Sequence, residues 1–169
     1  MLLTRLKKGG ASSSLLYNKL EMEVSNMIPK FKAYIKKSKK IYPVNDLTLN
    51  GIDDEPVGIN GCGDSTCTTC LDWYRFEDIE LMQSTGLKDK NGVEIYEGDI
   101  VKVSVHNGFD YYDNEVCVVR KSRFHSGLVC INPNNDMECR IFNQDVLEDY
   151  QYEVIGNIYE NPELLEVES

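Results

Sequence analysis

The run DIVKVSV, Asp99 to Val105, sets Val101, Val103 and Val105 on one side of an extended chain and Lys102 and Ser104 on the other. A period of two buries one face only if the segment is a strand. The stretch before it, TGLKDKNGVEIYEG, contains Asn91-Gly92, a tight-turn pair in which both residues tolerate positive φ, and Gly98 as a second corner. A phosphate loop would instead open a helix and aim several glycines at its ligand. Residues 85–103 therefore predict a hairpin and a barrel corner.

The same logic extends in both directions. KFKAYI alternates Phe31, Ala33 and Ile35 on one face, KKSKK turns, and IYPV returns, which predicts a hairpin with Pro43 at an edge or bulge. The segment from Asn50 to Cys70 is rich in Gly, Asp and Thr, lacks either period and reads as a long loop or insertion. WYRFEDIELMQ reads as a half-buried strand or a strand-turn-strand that presents Trp73, Ile79 and Leu81 to a core. EVCVVRK, GLVCIN, MECRIF and YEVIGNIY follow as short strands separated by NGFDYYDN and NPNND, and Asn161-Pro162 begins a short helical turn before an acidic tail. The predicted fold is all-β: a small SH3-like or open barrel with an added N-terminal hairpin and short terminal helical segments.

Residues 1–26 read differently. KKGGASSS has the Gly/Ser content of a flexible segment, followed by a possible short helix from Leu15 to Val24. Met22-Glu23-Val24 is compatible with codons that contain a ribosome-binding sequence, with Ser25-Asn26 as spacer. Met27 is thus the expected natural start and 27–169 the expected β domain.

Six cysteines in a chain read as cytosolic suggest thiols rather than a disulfide frame. Cys62, Cys67 and Cys70 have the spacing C-x4-C-x2-C, with which plant-type iron-sulfur proteins supply three of four ligands. A fourth would have to come from Cys117, Cys130 or Cys139, each in or beside a predicted strand and equally readable as a small buried hydrophobe. One CxxC without a second ligand pair is also a weak zinc signal. The expectation is a metal-free, thiol-bearing loop, with His106 and His125 as ordinary surface histidines.

The net charge of −10 conceals an asymmetry: residues 1–40 hold ten Lys/Arg and two Asp/Glu, the remainder eight and twenty-six. So acidic a body repels phosphate, which disfavours nucleic acid as a partner except through Lys30, Lys32, Lys36, Lys37, Lys39 and Lys40 of the first hairpin. Asp99, Asp110, Asp113 and Glu115 are not distinguished by spacing, and no nucleophile elbow, HExxH or phosphate loop occurs. No catalytic residue and no cofactor is expected, nor any apolar run long enough to span a membrane.

Two long blocks, LMQSTGLKDKNGVEIYEGDIVKV and YEVIGNIYENPEL, resemble the YopX family of phage and prophage proteins, and PKFKAYIKKSKKIYPV is similar to that family's first hairpin. The resemblance runs from about Met27 to Leu165. It implies a small phage accessory protein with a mainly β, barrel-containing fold and no established biochemical activity. The Cys-rich loop falls where the family is most variable, so the resemblance lends a metal no support. Taken with the acidity, it points to a non-catalytic protein-binding or assembly module in the cytoplasm of the infected bacterium, acting on a protein partner and as a homo-oligomer. The alternative is an acidic decoy that mimics nucleic acid to occupy a host defence protein.

Overall fold

The computed structural model describes residues 29–64, 66–67, 69–106, 111–124, 126–139 and 150–166. The expectations for residues 1–26 and for His125 and Asp110 lie outside them. The fold is all-β, in two antiparallel sheets. The first contains β1 (Phe31–Ile35), β2 (Lys40–Leu47), β3 (Val57–Asn60), β4 (Leu71–Tyr74), β5 (Ile79–Lys88) and β6 (Glu94–Tyr96), in the order β4-β3-β2-β1-β5-β6. The second contains β7 (Asp99–His106), β8 (Tyr111–Lys121), β9 (Leu128–Ile131), β10 (Glu138–Cys139) and β11 (Tyr150–Asn157), in the order β10-β9-β8-β7-β11. Both sheets are open. Among the described strands β10 and β11 stand at the two edges of the second sheet and do not pair, so the barrel does not close.

Each sheet buries its own apolar face. Val101, Val103 and Val105 of β7 are fully buried with Cys117, Val119, Cys130, Tyr150 and Tyr152, as the alternation predicts. Burial of each valine is worth about 1.5–3 kcal/mol. Ala33, Ile35, Val57, Ile59 and Ile79 form the core of the first sheet, with Tyr42, Val44, Leu47, Tyr74 and Leu81 packed against it. Ile95 of β6 belongs to the second core, so the end of the first sheet is tied into the other.

The corner between β6 and β7 requires glycine. Gly98 has φ +88, donates its N–H to Val119 O at 2.7 Å and accepts the Ile158 N–H at 2.9 Å. A Cβ there would come within 3.2 Å of the Tyr159 ring, which itself stacks on Tyr34 of β1 at 4.6 Å.

Four expectations need correction. The segment 50–70 is not loop throughout, because it contains β3, whose four residues are all buried. A strand covered on both faces shows no alternation, and Gly58 within it mimics a loop. Trp73 is 41% exposed, whereas Tyr74 beside it packs on the core. Only Gly92 of the Asn91-Gly92 pair has positive φ, since Asp89 Oδ1 accepts the N–H groups of Asn91 and Val93 and so holds the turn from outside the pair. Pro43 is not at an edge, because β2 is interior, but it stands beside the register shift between Val44 and Asp46, in keeping with the bulge alternative.

Candidate functional site

The β3–β4 hairpin carries two features of chemical interest, a three-thiol loop at its tip and a recess beside its edge strand. At the tip, Gly61 donates its N–H to Cys70 O at 3.0 Å and closes the loop. Inside that closure the Gly63 N–H bonds Asn60 O at 2.9 Å, with Gly63 at φ +78, a conformation glycine adopts without a Cβ penalty. Asp64 then turns the chain again: its Oδ1 accepts the Thr66 N–H at 2.8 Å and the Thr66 hydroxyl at 2.7 Å, while its carbonyl accepts the Cys67 N–H at 3.1 Å.

Asn60 fastens the loop to the sheet. Its side chain, 2% exposed, donates from Nδ2 to Asp64 O at 2.7 Å, and its own N–H bonds Asn45 Oδ1 at 3.0 Å. Its Oδ1 is buried with no hydrogen-bond partner among the described residues. An orphaned amide oxygen costs about 1–3 kcal/mol, which the fold meets elsewhere in order to keep this loop in place.

The consequence is that the sulfurs of Cys62, Cys67 and Cys70 all lie within 4.8 Å of one another. The Thr69 hydroxyl sits 3.3 Å from Cys67 Sγ and 3.9 Å from Cys70 Sγ. Hydrogen bonding by the Thr69 hydroxyl, then by the Thr69 backbone and the two neighbouring thiols, lowers the Cys67 pKa to about 6. The Cys70 thiol is pushed up, first by its hydrogen bond to Cys67. One cluster therefore holds an easily ionised thiol beside a reluctant one. Among the described residues no fourth cysteine joins it. Cys117 and Cys130 are buried in the core of the second sheet, and Cys139 pairs in register with Cys130 there.

The second feature is an open recess of about 540 Å³ lined by Thr48, Asp53, Asp54, Glu55, Trp73 and Arg75. Asn50 shapes its rim: Oδ1 accepts the N–H groups of Ile52 and Asp53, and Nδ2 bonds Asp53 Oδ2 at 2.8 Å. Trp73 forms a wall because it stands opposite Gly58 in the β3–β4 register. A Cβ on Gly58 would meet Trp73 Cζ3 at 3.4 Å and Leu71 Cδ1 at 3.2 Å, so the missing side chain is what lets both lie across β3. Leu49, Ile52, Leu71 and Phe76 are also exposed in this part of the chain. Arg75 is engaged with Glu77 at 3.3 Å, which leaves the three carboxylates in excess.

Sequence reasoning identified the three cysteines as a group but placed Trp73 in the core and passed over the recess. The signal that could have found it is Gly58 opposite an aromatic, a pairing known to stabilise strand glycines. The dispersed carboxylates of the sequence also separate. Asp99 is buried and accepts the Tyr96 N–H at 2.8 Å, whereas Asp113 and Glu115 lie exposed on β8, so they share no site.

The profile of the family described as YopX protein matches residues 30–166. The chain belongs to the YopX family. Its two sheets, the thiol loop and the recess all fall inside the matched region. Among solved structures this YopX-family chain is similar to protein EF1440 from Enterococcus faecalis, at 29% identity and a TM-score of 0.53, over 82% of this chain and 99% of that one. No curated protein matches it.

Proposed function

We propose that this YopX-family protein is a non-catalytic accessory module of a phage or prophage, that it acts inside the bacterial cell, and that it binds a protein partner through the recess beside β4. The observation that carries this reading is Trp73, half-exposed on an edge strand and braced across Gly58, with Asp53, Asp54 and Glu55 lining the same recess. Exposed tryptophans that rest on a rigid strand are the side chains on which binding energy concentrates at protein interfaces. The carboxylate excess selects the occupant: an extended segment with Lys or Arg, whose cation meets the acids and the Trp73 face while its backbone can extend the sheet at β4.

Nucleic acid fits poorly. Of the hairpin lysines, Lys30 pairs with Glu94 at 3.1 Å, Lys36 with Glu80 at 2.8 Å, and Lys32 lies over the Tyr96 ring at 4.2 Å. Half of the basic patch is thereby committed within the fold.

Trp73 is the sole tryptophan, so its emission reports occupancy directly. Lys/Arg-rich peptides and a short DNA duplex, titrated side by side at physiological ionic strength, should shift Trp73 emission with the peptides alone. Asp53→Lys with Asp54→Lys should abolish that shift. Tight DNA retention that disappears on replacing Lys37, Lys39 and Lys40 with Glu, with no response to any basic peptide, would overturn the reading.

A further inference from the structure

We propose that Cys62, Cys67 and Cys70 constitute a zinc site of three thiolates with a fourth position open to an oxygen ligand. The site stands apart from the recess and from the partner-binding reading. Its basis is geometric. Four bonds of about 2.3 Å in a tetrahedron set neighbouring sulfurs about 3.8 Å apart, a small contraction from the 4.8 Å limit observed here. The three sulfurs come from a single loop of ten residues between β3 and β4, so the contraction is local to that loop.

The loop is also held as a ligand loop needs to be. Two closures at Gly61 and Gly63, the Asp64 turn and the buried Asn60 amide fix its backbone without using any of the three sulfurs as a packing group. Cysteines that belong to the core are buried, as Cys117 and Cys130 are. These three are instead turned outward, or half so, and toward one another.

Thiolate ligands select copper(I), zinc or iron-sulfur clusters. A plant-type cluster needs four cysteines, and the described residues bring together three. Copper(I) would be satisfied by sulfur alone. Zinc accepts oxygen as well, and Cys62 and Cys70 are exposed, so water reaches the fourth position. Asp72 Oδ2, the first atom that a Cβ on Gly61 would meet, at 3.5 Å, is not among the ligand atoms that lie within 4.8 Å of one another. Three sulfurs with one water oxygen is a donor set zinc takes, as in sites that keep three protein ligands and a water. The lack of a fourth cysteine among the described residues of the cluster, which counted against a metal when the sequence stood alone, thus becomes the feature that separates zinc from a cluster. Each coordinating thiol gives up its proton to solvent as the ion enters.

The test uses the full chain, reduced and stripped of metal with a chelator. Added zinc should bind one ion per chain in competition with a chromogenic chelator, and cobalt in its place should give intense thiolate-to-cobalt charge transfer with the absorption of tetrahedral coordination. Cys62→Ser, Cys67→Ser and Cys70→Ser should each weaken zinc by more than the roughly 10–100-fold that loss of an outer-shell partner costs. Because a variant can fail to fold, alkylation of the unmodified protein provides a second reading. Bound zinc should shield the three loop thiols from iodoacetamide, as counted by mass. Zinc binding unchanged in Cys67→Ser, no protection of the loop thiols, or exclusive retention of copper(I) would each overturn the assignment.

Discussion

Asp89 and Val154 join the two sheets through one hydrogen bond: Asp89 Oδ2, at the turn between β5 and β6, accepts the Val154 N–H of β11 at 3.0 Å. The other carboxylate oxygen holds the Asn91 and Val93 N–H groups, both at 2.8 Å, so a single buried side chain shapes a hairpin and pins it to the opposite sheet. Lys90 reinforces the junction, its N–H bonding Tyr152 O at 2.9 Å and its ammonium Glu153 at 2.8 Å.

Replacement of Asp89 by Ala leaves three backbone N–H groups without their acceptor. The expected loss is about 2–4 kcal/mol, since bonds to a charged acceptor are among the stronger ones and the orphaned donors are partly buried. Burial alone would raise the Asp89 pKa, but the N–H groups of Val154, Val93 and Asn91 together outweigh it and hold the group below the usual carboxylate range. Its contribution is therefore present above the unfolded pKa and is lost as the pH falls through the folded one. Urea titrations of both proteins at neutral and acid pH should show the gap close in acid. An Asp89→Ala midpoint equal to that of the unmodified protein at neutral pH would refute the junction.

Asp99 has the opposite sign. Burial dominates and raises its pKa to about 6, against the lowering effects of the Tyr96 N–H and Lys32. Between that value and an unfolded pKa of about 3.9, the native state holds more protons than the unfolded chain, so stability falls as pH rises through the window. Asn in its place keeps a carbonyl for the Tyr96 N–H and carries no charge. At neutral pH Asp99→Asn should be more stable than the unmodified protein by about 1–3 kcal/mol, and the advantage should vanish near pH 4. Thermal melts across this range decide it, and a pH-independent difference would exclude the buried charge as its cause.

Gly58→Val should lift Trp73 off β3. The added Cβ meets Asp46 Cβ at 3.0 Å on one side and the Leu71 and Trp73 side chains on the other. Red-shifted tryptophan emission and more efficient quenching by iodide are expected, with a stability loss of about 1–2 kcal/mol from overpacking. Emission unchanged from the parent would mean that Trp73 is not braced by this glycine.

Gly156→Ala should release the C-terminal turn. A Cβ there would lie 2.6 Å from Asn161 Oδ1 and 2.9 Å from Leu164 Cδ1, and Asn161 Oδ1 is the atom that accepts the Asn157 N–H at 3.3 Å. Proteolysis should then cut within the turn Pro162–Leu165, at a rate well above that of the parent.

The sequence by itself determined whatever is local. Alternation identified β7 and the first hairpin, because a period of two is a property of neighbouring residues, whereas residues 111–114, read as a turn, are the start of β8. Cysteine spacing singled out Cys62, Cys67 and Cys70, and the charge asymmetry and the long motif blocks pointed to an acidic β protein of the YopX family. Tertiary structure decided the rest. β3 is buried on both faces, so no alternation marks it. Trp73 is aromatic like a core residue, and only its place on an edge strand opposite Gly58 leaves it exposed. Spacing could nominate the three thiols, but their convergence depends on the positive φ of Gly63 and the reach of the Asn60 amide. The bond between Asp89 and Val154 spans 65 positions of chain, a separation over which local pattern carries no information and the register of two sheets carries all of it.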